Sequence, residues 1–377
     1  MEKIITVPSN TIIKLLTMEY PPIRGGAGVY CEELAHASYE LGGDIEVLAP
    51  MGASSNSSVN LSQLPFNGSQ DWCCSWKIKK FLKKQNLEKT ALHIADPGAL
   101  RAMIRFGWTL PKPSKLIITI HGSEIPKFSR NPVERLFFRN LLKKAEIIHV
   151  LSKYNKEKLL RFYPNIKNRI LLIPGAPARD IIPKSNPLEN KDYSKKDLVL
   201  LCVGRIHPRK GQLLLLQAIE KLPIQLKERI TCWFVGPQSK LGYAQKIIEK
   251  SNQIGCDVKF LGDQKNKDLQ EAYQQADIFA LTSISQANSV EGFGIVYLEA
   301  SAHGLPILAN RVGGVEDAVL DGKTGLLCDP QKQNQLQENL KKLIEQPEKR
   351  KALGEAGVAW TAKHSWEKIA QRLYELA

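Results

Sequence analysis

Short apolar runs alternate with longer amphipathic stretches along most of the chain. In the first half the runs fall at 12–17, 45–49, 116–120, 147–151 and 170–173; in the second, at 199–203, 231–235, 258–261, 278–281 and 306–309. Runs this short, rich in Ile, Val and Leu, read as strands, and the helical patterns between them as crossovers. That alternation predicts an α/β protein with parallel sheets. Seven of the ten runs are followed at once by Gly, Pro, His or Ser. Functional loops of open α/β sheets sit at such carboxyl ends. Between the halves, 179–196 carries Pro183, Asn186, Pro187, Asn190 and many charges without a lasting apolar period, and reads as a linker or long surface loop. The stretch Ser54-Ser55-Asn56-Ser57-Ser58 marks a second loop. The expected organisation is a first doubly wound domain over 1–180, a second over 181–360 and a closing helix over 361–377, with a cleft between the domains as a natural ligand site.

Composition narrows the class. A length of 377 residues suits two domains, each with its own core. A hydrophobic share of 43% and a charged share of 24% exclude disorder, collagen and disulfide miniproteins. The longest apolar runs, at 198–203 and 213–216, fall far short of the ~18 residues a membrane helix needs. Met1-Glu2-Lys3-Ile4-Ile5-Thr6 offers only two successive apolar residues, so no signal peptide is expected. Seven cysteines without a C-x-x-C pair read as buried reduced thiols of a cytoplasmic protein.

The net charge of +15 is uneven. Residues 1–180 hold 26 Lys and Arg against 15 Asp and Glu; the remainder holds 27 against 23. Lys77, Lys79, Lys80, Lys83, Lys84 and Lys89 crowd one stretch in which Ile78, Phe81, Leu82 and Gln85 keep a helical period. An ordinary surface helix gives that pattern, as does a helix meeting an anionic membrane surface or an acidic acceptor. Nucleic acid is not expected, since the stretch lacks repeated aromatic interleaving and any zinc or homeodomain spacing.

Four loops carry candidate chemistry. Pro21-Pro22-Ile23-Arg24-Gly25-Gly26-Ala27-Gly28 precedes a helical pattern, so its glycines suit either a tight turn or backbone contact with an anion. It is neither G-x-G-x-x-G nor a P-loop. Thr119-Ile120-His121-Gly122-Ser123-Glu124 sets a histidine at the carboxyl end of a strand, whereas His93 and His149 lie inside apolar runs and read as core residues. Val203-Gly204-Arg205-Ile206-His207-Pro208-Arg209-Lys210-Gly211 places several cations on a Gly-bounded loop at the head of a helix. Arg supplies a planar fork, Lys a point charge and the helix its dipole, a rational set for a diphosphate. Glu291-Gly292-Phe293-Gly294-Ile295-Val296-Tyr297-Leu298-Glu299 spaces two carboxylates eight positions apart. In one helix they would share a face. The two glycines favour instead a loop with Glu291 at its lip and Glu299 inside the following helix.

Taken in order, Gly25-Gly26, His121-Gly122, Gly204-Arg205 with Lys210-Gly211, and Glu291 through Glu299 make the chain resemble the family-four retaining glycosyltransferases. The resemblance extends through Phe260-Leu261-Gly262, Ala276-Asp277, Gly304-Leu305-Pro306, Gly322–Leu327 and Ser365-Trp366. It implies the GT-B fold: two Rossmann-like domains facing across a cleft, with the last helix returning to the first. It also implies a hexosyltransferase whose nucleoside-diphosphate sugar, a UDP- or GDP-sugar, binds mainly the second domain. The acceptor, a sugar, a lipid-linked sugar or a small polar molecule, would lie against the first.

By the same resemblance, Gly204, Arg205 and Lys210 would hold the diphosphate and Gly25 and Gly26 would close over it. Glu299 would bind the ribose, and Gly262 and Gln264 would border the base. Glu291, Gly292, Phe293, Gly294 and Ile295 would meet the transferred sugar and its phosphate. His121, Arg205, Lys210 and Glu291 form the expected catalytic set. The chain has no D-x-D, so protein cations are expected in place of a metal ion, with no cofactor beside the sugar-nucleotide substrate. The usual Pro-Asn-Gly-Val-Asp is replaced by Pro174-Gly175-Ala176-Pro177-Ala178. A GT-B nucleotide-sugar epimerase and a catalytically silent sugar-nucleotide binder are the alternatives. The expected place is the cytoplasm, with the inner face of the membrane as its peripheral extension; no motif specifies an oligomeric state.

Overall fold

The computed structural model describes residues 12–22, 25–54, 58–189, 191–286, 289–332 and 334–376. Met1 to Thr6, Ile23 and Arg24 of the first glycine loop, residues 55–57 of the Ser/Asn stretch and Asn190 lie outside them. The chain folds as two compact units. One runs to Gly175 and resumes at Ser365; the other is Ala176–His364.

The first unit is built on seven parallel strands: β1 (Ile12–Leu16), β2 (Ile45–Pro50), β3 (Asn60–Leu64), β4 (Thr90–Ile94), β5 (Lys115–Ile120), β6 (Ile147–Val150) and β7 (Ile170–Leu172). Their spatial order is β3-β2-β1-β4-β5-β6-β7. The second unit has β8 (Leu198–Val203), β9 (Ile230–Val235), β10 (Asp257–Gly262), β11 (Ile278–Leu281), β12 (Ile307–Asn310) and β13 (Gly325–Cys328), in the order β10-β9-β8-β11-β12-β13. Helices cover central strands such as β8 and β11, which accounts for their nearly unbroken apolar runs. In each sheet the strand order reverses at one place, between β1 and β4 and between β8 and β11. The crevice outside the carboxyl ends at such a reversal is the usual ligand position of an open α/β sheet.

Three strands escape the apolar pattern, each for a local reason. β3, Asn-Leu-Ser-Gln-Leu, is an edge strand with one fully buried side chain, so it has no apolar run to detect. β4 is wholly buried but includes Thr90 and His93. β13 is four residues long and opens on a glycine whose Cβ would lie 2.5 Å from the Ile307 carbonyl of β12.

The helix Trp366–Tyr374 belongs to the first unit and packs against the helix Gly26–Glu40. Trp366 is buried with its ring 5.7 Å from that of Tyr30. Beneath them buried polar side chains pair: Tyr374 Oη with His93 Nδ1 at 2.6 Å, His93 Nε2 with Thr119 Oγ1 at 2.7 Å, and Tyr30 Oη with Thr119 and His149 at 2.9 Å each. Burial lowers the pKa of His149 to about 4 and that of His93 well below its usual range. Both rings are therefore neutral core residues.

Candidate active site

In the second unit, the loops after β8 and β11, the two strands at the reversal, come together. After β8 the chain passes Gly204, makes a short 3₁₀ turn over Pro208–Lys210 and starts the helix Gln212–Glu220 at Gly211. His207 opens the turn, its Nδ1 accepting from the Arg209 N–H at 3.1 Å. Gly211 is required here: its φ is +73°, and a Cβ would lie 1.9 Å from the carbonyl oxygen of Thr282, just beyond β11. Thr282 Oγ1 in turn donates to the Gly211 carbonyl at 2.7 Å, and Ile284 N–H to the Arg209 carbonyl at 2.8 Å. Asn310, at the end of β12, donates to the carbonyls of Thr282 and Ser283 and fixes the second loop.

These contacts place three charges together. Glu291 Oε2 accepts from Lys210 Nζ at 2.7 Å, Arg209 Nη1 at 3.0 Å and Ser283 Oγ at 3.1 Å. All three charged side chains are nearly buried, at 10% exposure for Glu291, 13% for Lys210 and 12% for Arg209. Burial opposes ionisation of Glu291, but the two cations and the hydrogen bonds outweigh it and bring its pKa down to about 2. The carboxylate is therefore charged throughout the physiological range, and the cluster keeps one net positive charge. Arg205 stands apart: its side chain is exposed, and its carbonyl accepts from Gln212.

Glu291 lies in a loop and Glu299 in the helix Ile295–Ala302. Gly294 joins them at φ +88°, where a Cβ would meet the Tyr297 ring at 2.5 Å. Gly292 and Ile295 flank that point, half-buried, and Phe293 is buried. Glu299 accepts from Tyr273 Oη at 2.9 Å and from the backbone N–H of Ala178. The altered segment 174–178 thus still reaches a site carboxylate through its main chain. Burial raises the Glu299 pKa to about 6 against those bonds. Gly262 ends β10 at φ +70°, its carbonyl accepting from Gly236 N–H at 2.7 Å, and the Gln264 amide folds back on the Leu261 carbonyl.

A raised carboxyl pKa has two opposite consequences. Between the ordinary carboxyl pKa and about 6, the folded chain holds a proton that the unfolded chain has released, so this group's contribution to stability fades as pH rises through that window. Ligand binding runs the other way, because the ionised form is the better acceptor for hydroxyl donors. Were Glu299 to bind the ribose of a nucleoside diphosphate, as the resemblance implies, affinity would rise through about pH 6, and the rise would be smaller in Glu299→Gln. Calorimetric Kd values from pH 5 to 8 check this, since the difference between the two proteins cancels the phosphate's own titration.

In the first unit, Gly25 precedes the helix Gly26–Glu40, and Gly26 has open space where a side chain would stand. His121 follows β5. Its Nε2 donates to the Ala95 carbonyl at 2.8 Å, which fixes a proton on Nε2 and turns Nδ1 away from that bond. The buried Glu124 receives the backbone N–H groups of His121 at 2.9 Å and Gly122 at 2.7 Å, while Asn155 donates to the His121 carbonyl. Glu124 therefore positions the histidine loop.

Sequence reasoning singled out Lys210, Glu291 and Glu299 but missed four partners. Arg209 was visible only as one cation among several. Glu124 read as the end of a motif, and Ser283 and Tyr273 reach the site from other loops and helices. Among the described residues no three His, Cys, Asp or Glu gather as ligands of one metal ion, and no helix is long and apolar enough to cross a membrane.

Comparison with known proteins bears on the family and the fold. The family model described as Glycosyltransferase Family 4 matches residues 24–176, and that described as Glycosyl transferases group 1 matches 186–360. A GDP-mannose-dependent monoacylated alpha-(1-6)-phosphatidylinositol monomannoside mannosyltransferase of Corynebacterium glutamicum is 30% identical over 270 residues, 69% of each chain. A D-inositol 3-phosphate glycosyltransferase of Corynebacterium diphtheriae is 26% identical over 390 residues, covering 93% of this chain and 88% of its own. The crystal structure of Anabaena Alr3699/HepE in complex with UDP and glucose superposes with a TM-score of 0.75 at 18% identity, covering 97% and 98% of the two chains. The two sheets are Rossmann-like, and the solved structures they match are GT-B glycosyltransferases. With both halves matched and a cationic loop set against a Glu-x₇-Glu segment, the chain belongs to glycosyltransferase family four.

Proposed function

We propose that this glycosyltransferase is a retaining, metal-independent hexosyltransferase that uses a UDP- or GDP-sugar and a sugar, lipid-linked or small polar acceptor. The observation that carries the reading is the junction of Lys210, Arg209 and Glu291 at the reversal point of the second sheet. A departing nucleoside diphosphate takes the electron pair of the sugar–oxygen bond onto a phosphate oxygen. Cations already fixed nearby stabilise that charge more in the transition state than in the ground state. When the donor binds, its phosphates draw Lys210 and Arg209 away from Glu291, whose carboxylate turns to a sugar hydroxyl. Arg205, exposed beside the loop, closes on the diphosphate, and Glu299 grips the ribose. His121 offers Nδ1 to the transferred sugar. The acceptor oxygen attacks on the face the phosphate leaves and gives its proton to that phosphate. Relatives that use GDP-mannose and a neighbour solved with UDP support a sugar-nucleotide donor.

The test is in two steps. A thermal-shift panel of UDP, GDP and their sugars identifies the donor, since a ligand at 100 times its Kd stabilises by about 2.7 kcal/mol. Proton NMR of the product formed in excess EDTA then reads the anomeric centre. The expected result is turnover with the donor's configuration kept. An inverted product overturns retention, and activity lost to EDTA and restored by manganese overturns metal independence.

A further inference from the structure

The first unit carries an exposed surface of aromatic and basic side chains. Of the six tryptophans in the chain, Trp366 is buried and Trp233 and Trp360 are half-buried, whereas Trp72, Trp76 and Trp108 are 64%, 50% and 62% exposed. All three lie within 37 residues of sequence, and side-chain contacts join their neighbourhoods. On the helix Trp72–Leu82, the Trp72 ring lies 5.9 Å from that of Phe106 and under the Arg105 guanidinium at 4.3 Å. Lys79 reaches the same Phe106 ring at 5.0 Å, and Lys80 the Trp76 ring at 5.4 Å. Trp108 donates its indole N–H to the Arg105 carbonyl and lies 6.4 Å from Phe137 on the helix Pro132–Lys144. That helix leaves Val133 and Leu136 exposed, with Arg139 and Lys143 further along it.

The charge is equally concentrated. Residues 72–144 hold sixteen Lys and Arg against four Asp and Glu, nearly the whole excess of the chain. The acids facing the strip are few: Asp71, engaged by Cys74 N–H and Ser69, and Glu134 on the second helix. Solvent-facing tryptophans set among lysines and arginines fit a surface that is apolar a few ångströms down and negative above. Indole rings favour the headgroup level of a bilayer, and basic side chains are drawn to anionic lipid. A nucleic acid would offer the charge but no apolar layer for Trp76, Val133 and Leu136.

We propose that the face formed by the helix Trp72–Leu82, the turn at Trp108 and the exposed side of the helix Pro132–Lys144 docks this protein on an anionic lipid bilayer, with Trp72, Trp76 and Trp108 entering the interface. The inference is independent of the transfer reaction, and its test reads lipid binding alone. The full-length protein is sedimented with phosphatidylcholine vesicles, with and without phosphatidylglycerol. The expected result is at least roughly tenfold tighter binding to the anionic vesicles. Binding should be lost as the screening length falls from about 10 Å at 0.1 M salt to about 3 Å at 1 M, and tryptophan emission should shift to the blue on binding.

Two variants separate the contributions. Changing Trp72, Trp76 and Trp108 together to serine is expected to weaken vesicle binding at least tenfold and to remove the blue shift. Changing Lys77, Lys80, Lys83 and Lys84 to glutamine is expected to weaken it as much at low salt while leaving the thermal shift with nucleoside diphosphate unchanged. Equal binding to neutral and anionic vesicles, wild-type binding in the lysine variant, or displacement of bound vesicles by duplex DNA would overturn the proposal.

Discussion

Lys210→Ala is expected to lower kcat/KM by about 100- to 1000-fold, the range for loss of one preorganised group facing developing charge, or about 2.7–4 kcal/mol. The ammonium is held where the loops after β8 and β11 meet, and its bond to Glu291 at 2.7 Å is the shortest of the three that carboxylate receives. Truncation removes the cation and leaves Glu291 to Arg209 and Ser283. Most of the loss should fall on kcat, because charge on the leaving phosphate peaks in the transition state. Lys210→Arg should recover only part of the rate, since a planar fork does not reproduce a compact point charge. Steady-state kinetics on the identified donor, with circular dichroism to confirm the fold, decide the matter. Turnover within threefold of wild type would remove Lys210 from the machinery.

Glu291→Gln is expected to act on stability and on binding in opposite directions. The substitution keeps the shape but leaves two nearly buried cations facing each other without a counter-charge. Breaking a buried ion pair from one side costs about 3–5 kcal/mol, which denaturant titration of the free protein should show. A diphosphate supplies the missing charge, so the thermal shift on adding nucleoside diphosphate should be larger than in wild type, even as sugar transfer collapses. Acid titration gives a second reading. With a folded pKa of about 2, below the ordinary carboxyl value, Glu291 contributes stability that is present above the unfolded pKa and lost as pH falls towards 2. The variant should therefore lose stability less steeply across that acid range. A variant as stable as wild type, with an unchanged nucleotide response, would show that the cluster does not hold the diphosphate.

How much of this could be read from the sequence depends on what each feature leaves in the order of residues. Strands such as β8 and β11 are legible because a buried parallel strand must be apolar on both faces. β3 is not, because as an edge strand its side chains are largely solvated and its sequence is free to be polar. The candidate site divides the same way. Lys210, Glu291 and Glu299 stand within local motifs whose glycines mark the turns. Ser283, Tyr273 and Asn310 act from three other segments, and only the sheet order brings those segments together. The sequence reading grouped Arg205 with Lys210, whereas the folded loop turns Arg209 inward to Glu291 and leaves Arg205 in solvent. Arg209 and Lys210 lie in the 3₁₀ turn and Arg205 before it, a division that spacing alone does not reveal.

The return of the helix Trp366–Tyr374 to the first unit bears on how the chain is made. Until residues 366–374 have left the ribosome, the ring of Tyr30 lacks its Trp366 neighbour and His93 lacks the Tyr374 hydroxyl. The segment Ala176–His364 contains its whole sheet, so it is able to fold while the amino-terminal half still waits for its last helix. The first unit is thus completed only after the whole of the second has been synthesised.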